Sequence, residues 1–134
     1  MGCIFCDILN GKRDGHFLYE DEHHVAFLDK YPIDVGHSLV IPRKHHERIT
    51  DMTSDAVGNM FSLVPRIAKA ILDAAGADAF SLGQNNGRAA KQIIPHVHIH
   101  IIPRYNNKGT VWTRRQISSD HELSELAEKI CRFI

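Results

Sequence analysis

Pro95-His-Val-His-Ile-His-Ile-Ile-Pro103 is the stretch that decides the reading of this chain. Histidine and aliphatic residues alternate in it, and alternation is the period of a β-strand, whose side chains leave opposite faces in turn. The spacing predicts a strand over residues 96–102. His96, His98 and His100 then share one face at a pitch of roughly 7 Å, while Val97, Ile99 and Ile101 turn toward a core. Packing alone gives no reason for three imidazoles in a row. A neutral imidazole can attack phosphorus through its unprotonated nitrogen, provided the other nitrogen donates a hydrogen bond that fixes the tautomer. Neighbouring rings can donate to the phosphate oxygens as charge develops. The middle ring, His98, suits the nucleophile, and His100 suits an oxygen ligand.

Two further segments belong with that strand. His37 opens Gly-His-Ser-Leu-Val-Ile-Pro, which predicts a buried strand over residues 37–41 closed by Pro42. If the two strands are near neighbours, His37 reaches the same phosphate. The polar run Asn85-Asn-Gly-Arg-Ala-Ala-Lys-Gln92 leads into the histidine strand, and its backbone and side-chain amides suit an anion cradle.

The rest of the chain supplies a scaffold. Ile4, Phe5, Ile8 and Leu9 predict a short helix over residues 4–10, stopped by Gly11. Short strands over 17–20 and 24–28 flank Asp21-Glu22 and predict a hairpin. Apolar residues from Val57 to Leu72 draw one stripe along a long helix spanning about residues 54–75. Thr53 is its expected N-cap, Gly76 its stop, and Pro65 a kink. A strand over 79–84 and a short C-terminal helix carrying Leu123, Leu126, Ala127 and Ile130 complete the order. The fold class is α+β: an antiparallel sheet of about five strands, one long helix, and short N- and C-terminal helices, in a single domain over residues 1–134.

Composition narrows the function. The chain has 134 residues, with 16 lysines and arginines against 16 aspartates and glutamates, so its formal net charge is zero. That balance argues against a sequence-independent nucleic-acid binder, which needs a basic stripe. No apolar run approaches the roughly 20 residues of a membrane span. The first residues lack the pattern of a secretory signal. The expectation is a soluble cytoplasmic protein without a membrane partner. In that compartment Cys3 and Cys6, spaced Cys-x-x-Cys, point to metal or redox chemistry rather than a structural disulfide. Cys131 falls in an apolar helical pattern and is expected in the core. His16, His23, His24 and His121 carry no motif and are expected at the surface. Trp112 reads equally as an interface anchor or a packing residue.

Taken together, these pieces resemble the histidine triad (HIT) family of nucleotide hydrolases and transferases, and within it the small prokaryote-type members with an N-terminal Cys-x-x-Cys. The resemblance rests on Cys-Ile-Phe-Cys-Asp-Ile (3–8), Ala-Phe-Leu-Asp (26–29), Gly-His-Ser-Leu-Val-Ile-Pro-Arg-Lys-His (36–45), Asn-Asn-Gly (85–87), Gln92 and His-Val-His-Ile-His-Ile-Ile-Pro-Arg (96–104). It implies a HIT-like fold and a covalent nucleotidyl–histidine intermediate on His98. His37, His100 and Gln92 would serve the phosphate. Asp29 would hold the ribose hydroxyls, Ile4, Phe5, Ile8 and Phe27 would wall the base, and Asn85 and Gly87 would line the pocket beside sugar and phosphate. The substrate implied is a purine nucleoside 5′-phosphoryl compound of the adenosine phosphoramidate or dinucleoside polyphosphate type, cleaved at the α-phosphate with no catalytic metal. The alternative is a purine-nucleotide-binding regulatory or scaffold protein with little turnover.

The resemblance also implies a structural zinc held by Cys3, Cys6, His45 and His96, with His46 as a rival to its neighbour. It implies a homodimer, for which the helix over 54–75 and the strand over 79–84 are candidate interface elements. Two departures stand out. Lys91 replaces the usual glycine before Gln92, which predicts a changed loop backbone. Ile93 replaces the serine or threonine that in some members contacts the scissile bridging atom.

Overall fold

The computed structural model describes residues 2–113 and 119–134. Helix α1 (Ile4–Leu9) is followed by the hairpin β1 (Phe17–Glu20) and β2 (His24–Leu28), then β3 (Ser38–Pro42). Helices α2 (Ser54–Phe61) and α3 (Val64–Ala75) lead to β4 (Ala79–Gly83), β5 (Ile99–Arg104) and the C-terminal α4 (Asp120–Cys131). The five strands form one antiparallel sheet in the order β1-β2-β3-β5-β4.

Strand alternation sorts the side chains into two layers. Ala26, Leu28, Val40, Ile99 and Ile101 face α3 and α4, where they pack with Ile67, Ile71, Leu123 and Ile130. Each isoleucine fully buried in this layer contributes about 1.5–3 kcal/mol. Val25, Phe27, Leu39 and Ile41 form a smaller cluster on the other face, closed by Phe5 of α1. Phe27 pairs with Leu39, Leu39 with His100, and His100 with Gly83. These four residues make one lateral row across β2, β3, β5 and β4. Period two therefore carries His100 to the face that α1 covers.

Several boundaries differ from the sequence reading. The single kinked helix over 54–75 is two helices. Thr53 caps α2 through the Ala56 amide, as expected, but the chain breaks at Ser62-Leu63 and Pro65 stands in the first turn of α3. Proline is accommodated there because a first-turn N–H has no intrahelical acceptor to serve. The strand expected over 96–102 pairs only from Ile99. Upstream of it, the Val97 amide donates to the His46 carbonyl at 2.8 Å instead of to a sheet neighbour. Cys131 is exposed, not core, because the inward face of α4 is set by Leu123, Ala127 and Ile130 and the next residue turns away. His24 is buried rather than at the surface, its Nδ1 held 3.1 Å from Asp21, which also accepts the His23 and His24 amides and so closes the hairpin. Among the described residues no helix is long and apolar enough to cross a membrane.

Candidate active site

The segment entering β5 brings the histidines together. The His98 and His100 rings lie 4.8 Å apart, centroid to centroid. His98 Nδ1 is 2.7 Å from the His96 carbonyl oxygen. A carbonyl only accepts, so Nδ1 carries the proton and Nε2 keeps its lone pair. This is the tautomer a phosphorus nucleophile needs.

A second relay fixes His100. The Ile33 amide donates to His37 Nδ1 at 2.9 Å, so the proton of the neutral His37 ring sits on Nε2. That nitrogen is 2.9 Å from His100 Nδ1 and 3.6 Å from Asp29 Oδ2. His100 therefore accepts at Nδ1 and carries its own proton on Nε2, as a donor. One backbone amide thus sets the tautomer of two rings. His37 Nε2 faces His100 and Asp29, and so fixes the direction of the His100 donor.

Aromatic and aliphatic side chains flank the triad. Phe5 packs edge-on against His98 at 5.1 Å, His96 at 5.8 Å and Phe27 at 5.5 Å. Ile8 packs beside them, and Ile4 is 40% exposed on the same helix. Asp29, buried at the end of β2, accepts the Tyr31 amide at 2.8 Å through Oδ1 and turns Oδ2 toward His37. Phe5 thus lies against the His96–His98 end of the row, and Asp29 against His37, the partner of His100.

The loop over residues 85–92 is braced from below. Gln92 is buried; its Oε1 accepts the Gly87 amide and its Nε2 donates to the Glu47 carbonyl, both at 2.6 Å. Asn86 Oδ1 accepts the Ile49 amide at 2.8 Å. Both ends of the Gln92 amide are thus engaged, tying Gly87 to the Glu47 backbone. The bracing contacts of Asn86 with Ile49 and of Gln92 with Glu47 escape the sequence reading, because the partners lie 37 and 45 residues apart with no periodic signal. Lys91 ends the short turn over 88–90. It adopts φ 63°, ψ 33°, the left-handed conformation that glycine supplies without strain. Ile93 is 75% exposed and offers no hydroxyl.

Residues 10–107 match the sequence profile of the HIT domain. The chain belongs to the HIT domain family. Among its HIT relatives, adenosine 5′-monophosphoramidase hnt1 of Schizosaccharomyces pombe is 38% identical over 133 residues, covering 97% of this chain and 96% of that protein. Adenylylsulfatase HINT3 of Arabidopsis thaliana is 39% identical over 137 residues, covering 98% of this chain and 69% of that one. A zinc-bound histidine triad protein from Mycobacterium smegmatis superposes with a TM-score of 0.86 at 33% identity, covering 98% of this chain and 95% of that structure.

Cys3, Cys6, His45 and His96 converge beside the triad, with one ligand atom from each inside 4.8 Å of all the others. His96 Nδ1 is 3.5 and 3.6 Å from the two sulfurs and 3.2 Å from His45 Nδ1, which in turn is 3.4 Å from Cys6 Sγ. Tetrahedral zinc, with bonds of roughly 2.3 Å to sulfur and 2.0–2.1 Å to nitrogen, sets sulfur–nitrogen edges of about 3.5 Å and nitrogen–nitrogen edges of about 3.3 Å. The four side chains fit that ion. His96 Nε2 donates to the Pro42 carbonyl at 2.8 Å, which leaves Nδ1 as the ligating lone pair. Burial pushes the His96 imidazolium down to about 4, so the ring is neutral near pH 7. His46 is not part of the set; its carbonyl binds Val97 instead.

Proposed function

We propose that this HIT protein hydrolyses purine nucleoside 5′-phosphoryl compounds at the α-phosphate through a nucleotidyl intermediate on His98. The observation that carries the reading is the 2.7 Å bond from His98 Nδ1 to the His96 carbonyl, which aims a lone pair from a buried, oriented ring. The base would lie against Phe5 and Phe27 with Ile4 and Ile8 at its edge. Asp29 would accept the ribose hydroxyl protons. His98 Nε2 attacks phosphorus in line, and the bond to the leaving group breaks with its electron pair. The leaving group takes a proton from solvent, and the water that attacks next returns one. His100 Nε2–H donates to a non-bridging oxygen as charge develops, its direction fixed by His37. Water then attacks, the phosphorus–nitrogen bond breaks, and a nucleoside monophosphate and neutral His98 are released. Acceleration comes chiefly from positioning and oriented donors.

The phosphoramidase and adenylylsulfatase relatives support a nucleotide hydrolase. The Cys3–Cys6–His45–His96 set would hold a structural zinc, which ties α1 to the histidine segment and so fixes the base wall. A homodimer is the assembly we favour, since β4 is an edge strand that exposes Phe80 and Leu82 at 40% and 44%. The decisive test is His98→Ala assayed against adenosine phosphoramidate and diadenosine triphosphate. Turnover should vanish while the fold, read by circular dichroism, persists. Undiminished hydrolysis by that variant would overturn the mechanism.

A further inference from the structure

Trp112 is the chain's sole tryptophan, and neither the triad nor the metal set uses it. Its side chain lies where Gly83 has none. A Cβ placed on Gly83 would sit 3.1 Å from Cζ3 and 3.8 Å from Cη2 of the indole, and 4.0 Å from the His100 Cβ. Gly83 and His100 are directly paired across β4 and β5, so their Cβ directions share a face. The indole therefore stands on the triad's side of the sheet, next to His100.

It is also held there. The Arg104 guanidinium lies 4.9 Å from the ring centroid. Arg104 is itself buried, with Nε donating to Ser81 Oγ at 3.0 Å and Nη1 to the Val111 carbonyl at 2.5 Å. A braced cation backs the ring, yet the tryptophan stays 57% exposed. A ring serving only to pack would bury more of its apolar surface, whereas an anchored and exposed indole is a stacking platform.

Its place in the row names the ligand. Phe27 stands at one end and Gly83, under Trp112, at the other, with His100 between. Three inter-strand steps at roughly 4.8 Å separate the ends by about 14 Å. Aromatic groups thus flank the imidazoles on both sides, at a span suited to two bases joined by a phosphate chain. Resting on the hydrolase reading above, we infer that Trp112 is the specificity-determining residue of the leaving-group side and stacks on the second nucleobase of a dinucleoside polyphosphate.

The single tryptophan makes the test direct. Its fluorescence is titrated with a methylene-bridged, non-hydrolysable diadenosine triphosphate and, separately, with AMP. Quenching by the dinucleotide that AMP does not reproduce is expected. In parallel, kcat/KM is measured for diadenosine triphosphate and for adenosine phosphoramidate with wild type, Trp112→Ala and Trp112→Phe. The ratio of the two should fall roughly 5- to 100-fold in the alanine variant, the range of base–aromatic stacking, and recover with phenylalanine. A ratio within twofold of wild type in Trp112→Ala, or a spectrum unchanged when the dinucleotide is bound, would overturn the inference. Wild type that turns over neither substrate would sink the hydrolase reading instead. The fluorescence titration then still decides Trp112, and failure of the dinucleotide to bind counts against it.

Discussion

Gln92→Leu separates a loop brace from a catalytic amide. The wild-type side chain satisfies the buried Gly87 amide and the Glu47 carbonyl at 2.6 Å each. Leucine keeps most of the volume and removes both bonds. The Gly87 N–H is then a buried donor without an acceptor, at a cost of about 1–3 kcal/mol. Glu47 is exposed, so water can serve its carbonyl, and the loss there is about 1 kcal/mol. Together the change should destabilise the fold by about 2–4 kcal/mol. With a urea slope near 2 kcal/mol per molar, the unfolding midpoint should drop by about 1–2 M. AMP affinity, read by calorimetry under native conditions, should weaken in the same variant, because Asn85 and Gly87 ride on the loosened loop. A direct contact between Gln92 and the reacting phosphate predicts the reverse pattern: lost turnover with an unmoved midpoint. That pattern would refute the brace.

Other perturbations probe the remaining joints. Lys91→Gly should stabilise the protein by up to about 1 kcal/mol in urea melts, since a left-handed non-glycine residue costs about 1–2 kcal/mol and glycine returns part of this as chain entropy; a destabilised variant would show that the lysine side chain makes a contact worth more than the strain. Chelation of the Cys3–Cys6–His45–His96 site should lower stability by about 4 kcal/mol relative to protein in free zinc at a thousandfold its dissociation constant, and should weaken AMP binding through Phe5; chelated protein that melts and binds AMP as before would show that the four side chains hold no structural ion. Burial pushes Asp21 up, but hydrogen bonds from the His23 amide, the Tyr19 hydroxyl and His24 hold it down at about 2. Its folded value lies below its unfolded one, so its contribution is present above about pH 4 and lost as pH falls toward 2. Asp21→Asn should therefore show a shallower acid loss of stability than wild type between pH 4 and 2.5, and equal slopes would remove Asp21 from the account.

Local signals were legible where period and chemistry coincide. Alternation placed Val97, Ile99 and Ile101 in the core opposite His98 and His100, and Thr53 and Gly76 marked real helix ends. Spacing identified Cys3 and Cys6 as a pair, and the family resemblance supplied His45 and His96, which stand beside them. What escaped was set by contacts distant in sequence. Nothing local shows that His37 faces His100 across β3 and β5, or that Gln92 spends both amide ends on Gly87 and Glu47. The stripe from Val57 to Leu72 runs through Pro65 and reads as one kinked helix; the break at Ser62-Leu63 changes the hydrogen bonding without interrupting the stripe. Trp112 was undecidable because its meaning comes from the absent side chain of Gly83.

His96 is where scaffold and chemistry meet. Its ring and its carbonyl act on different partners: Nδ1 belongs to the cysteine–histidine set, while the carbonyl oxygen fixes the tautomer of His98. Its other ring nitrogen is tied to Pro42 at the end of β3 and its amide donates to the Ile94 carbonyl, so all four of its polar groups are constrained at once. Phe5 lies in the same helix as Cys6 and touches both His96 and His98. A shift of the N-terminal helix therefore moves Phe5 and the carbonyl that orients the His98 ring together. The half-buried cysteines of the N-terminal segment, set against the His96 ring, share that residue with the bond that orients His98. The sheet alone does not give this coupling, because β5 pairing begins only at Ile99, beyond both His96 and His98. The segment that carries His98 is fixed by local backbone bonds and side chains instead of by a strand ladder, and the Cys3–Cys6–His45–His96 cluster, which could hold a metal ion, lies directly beside it.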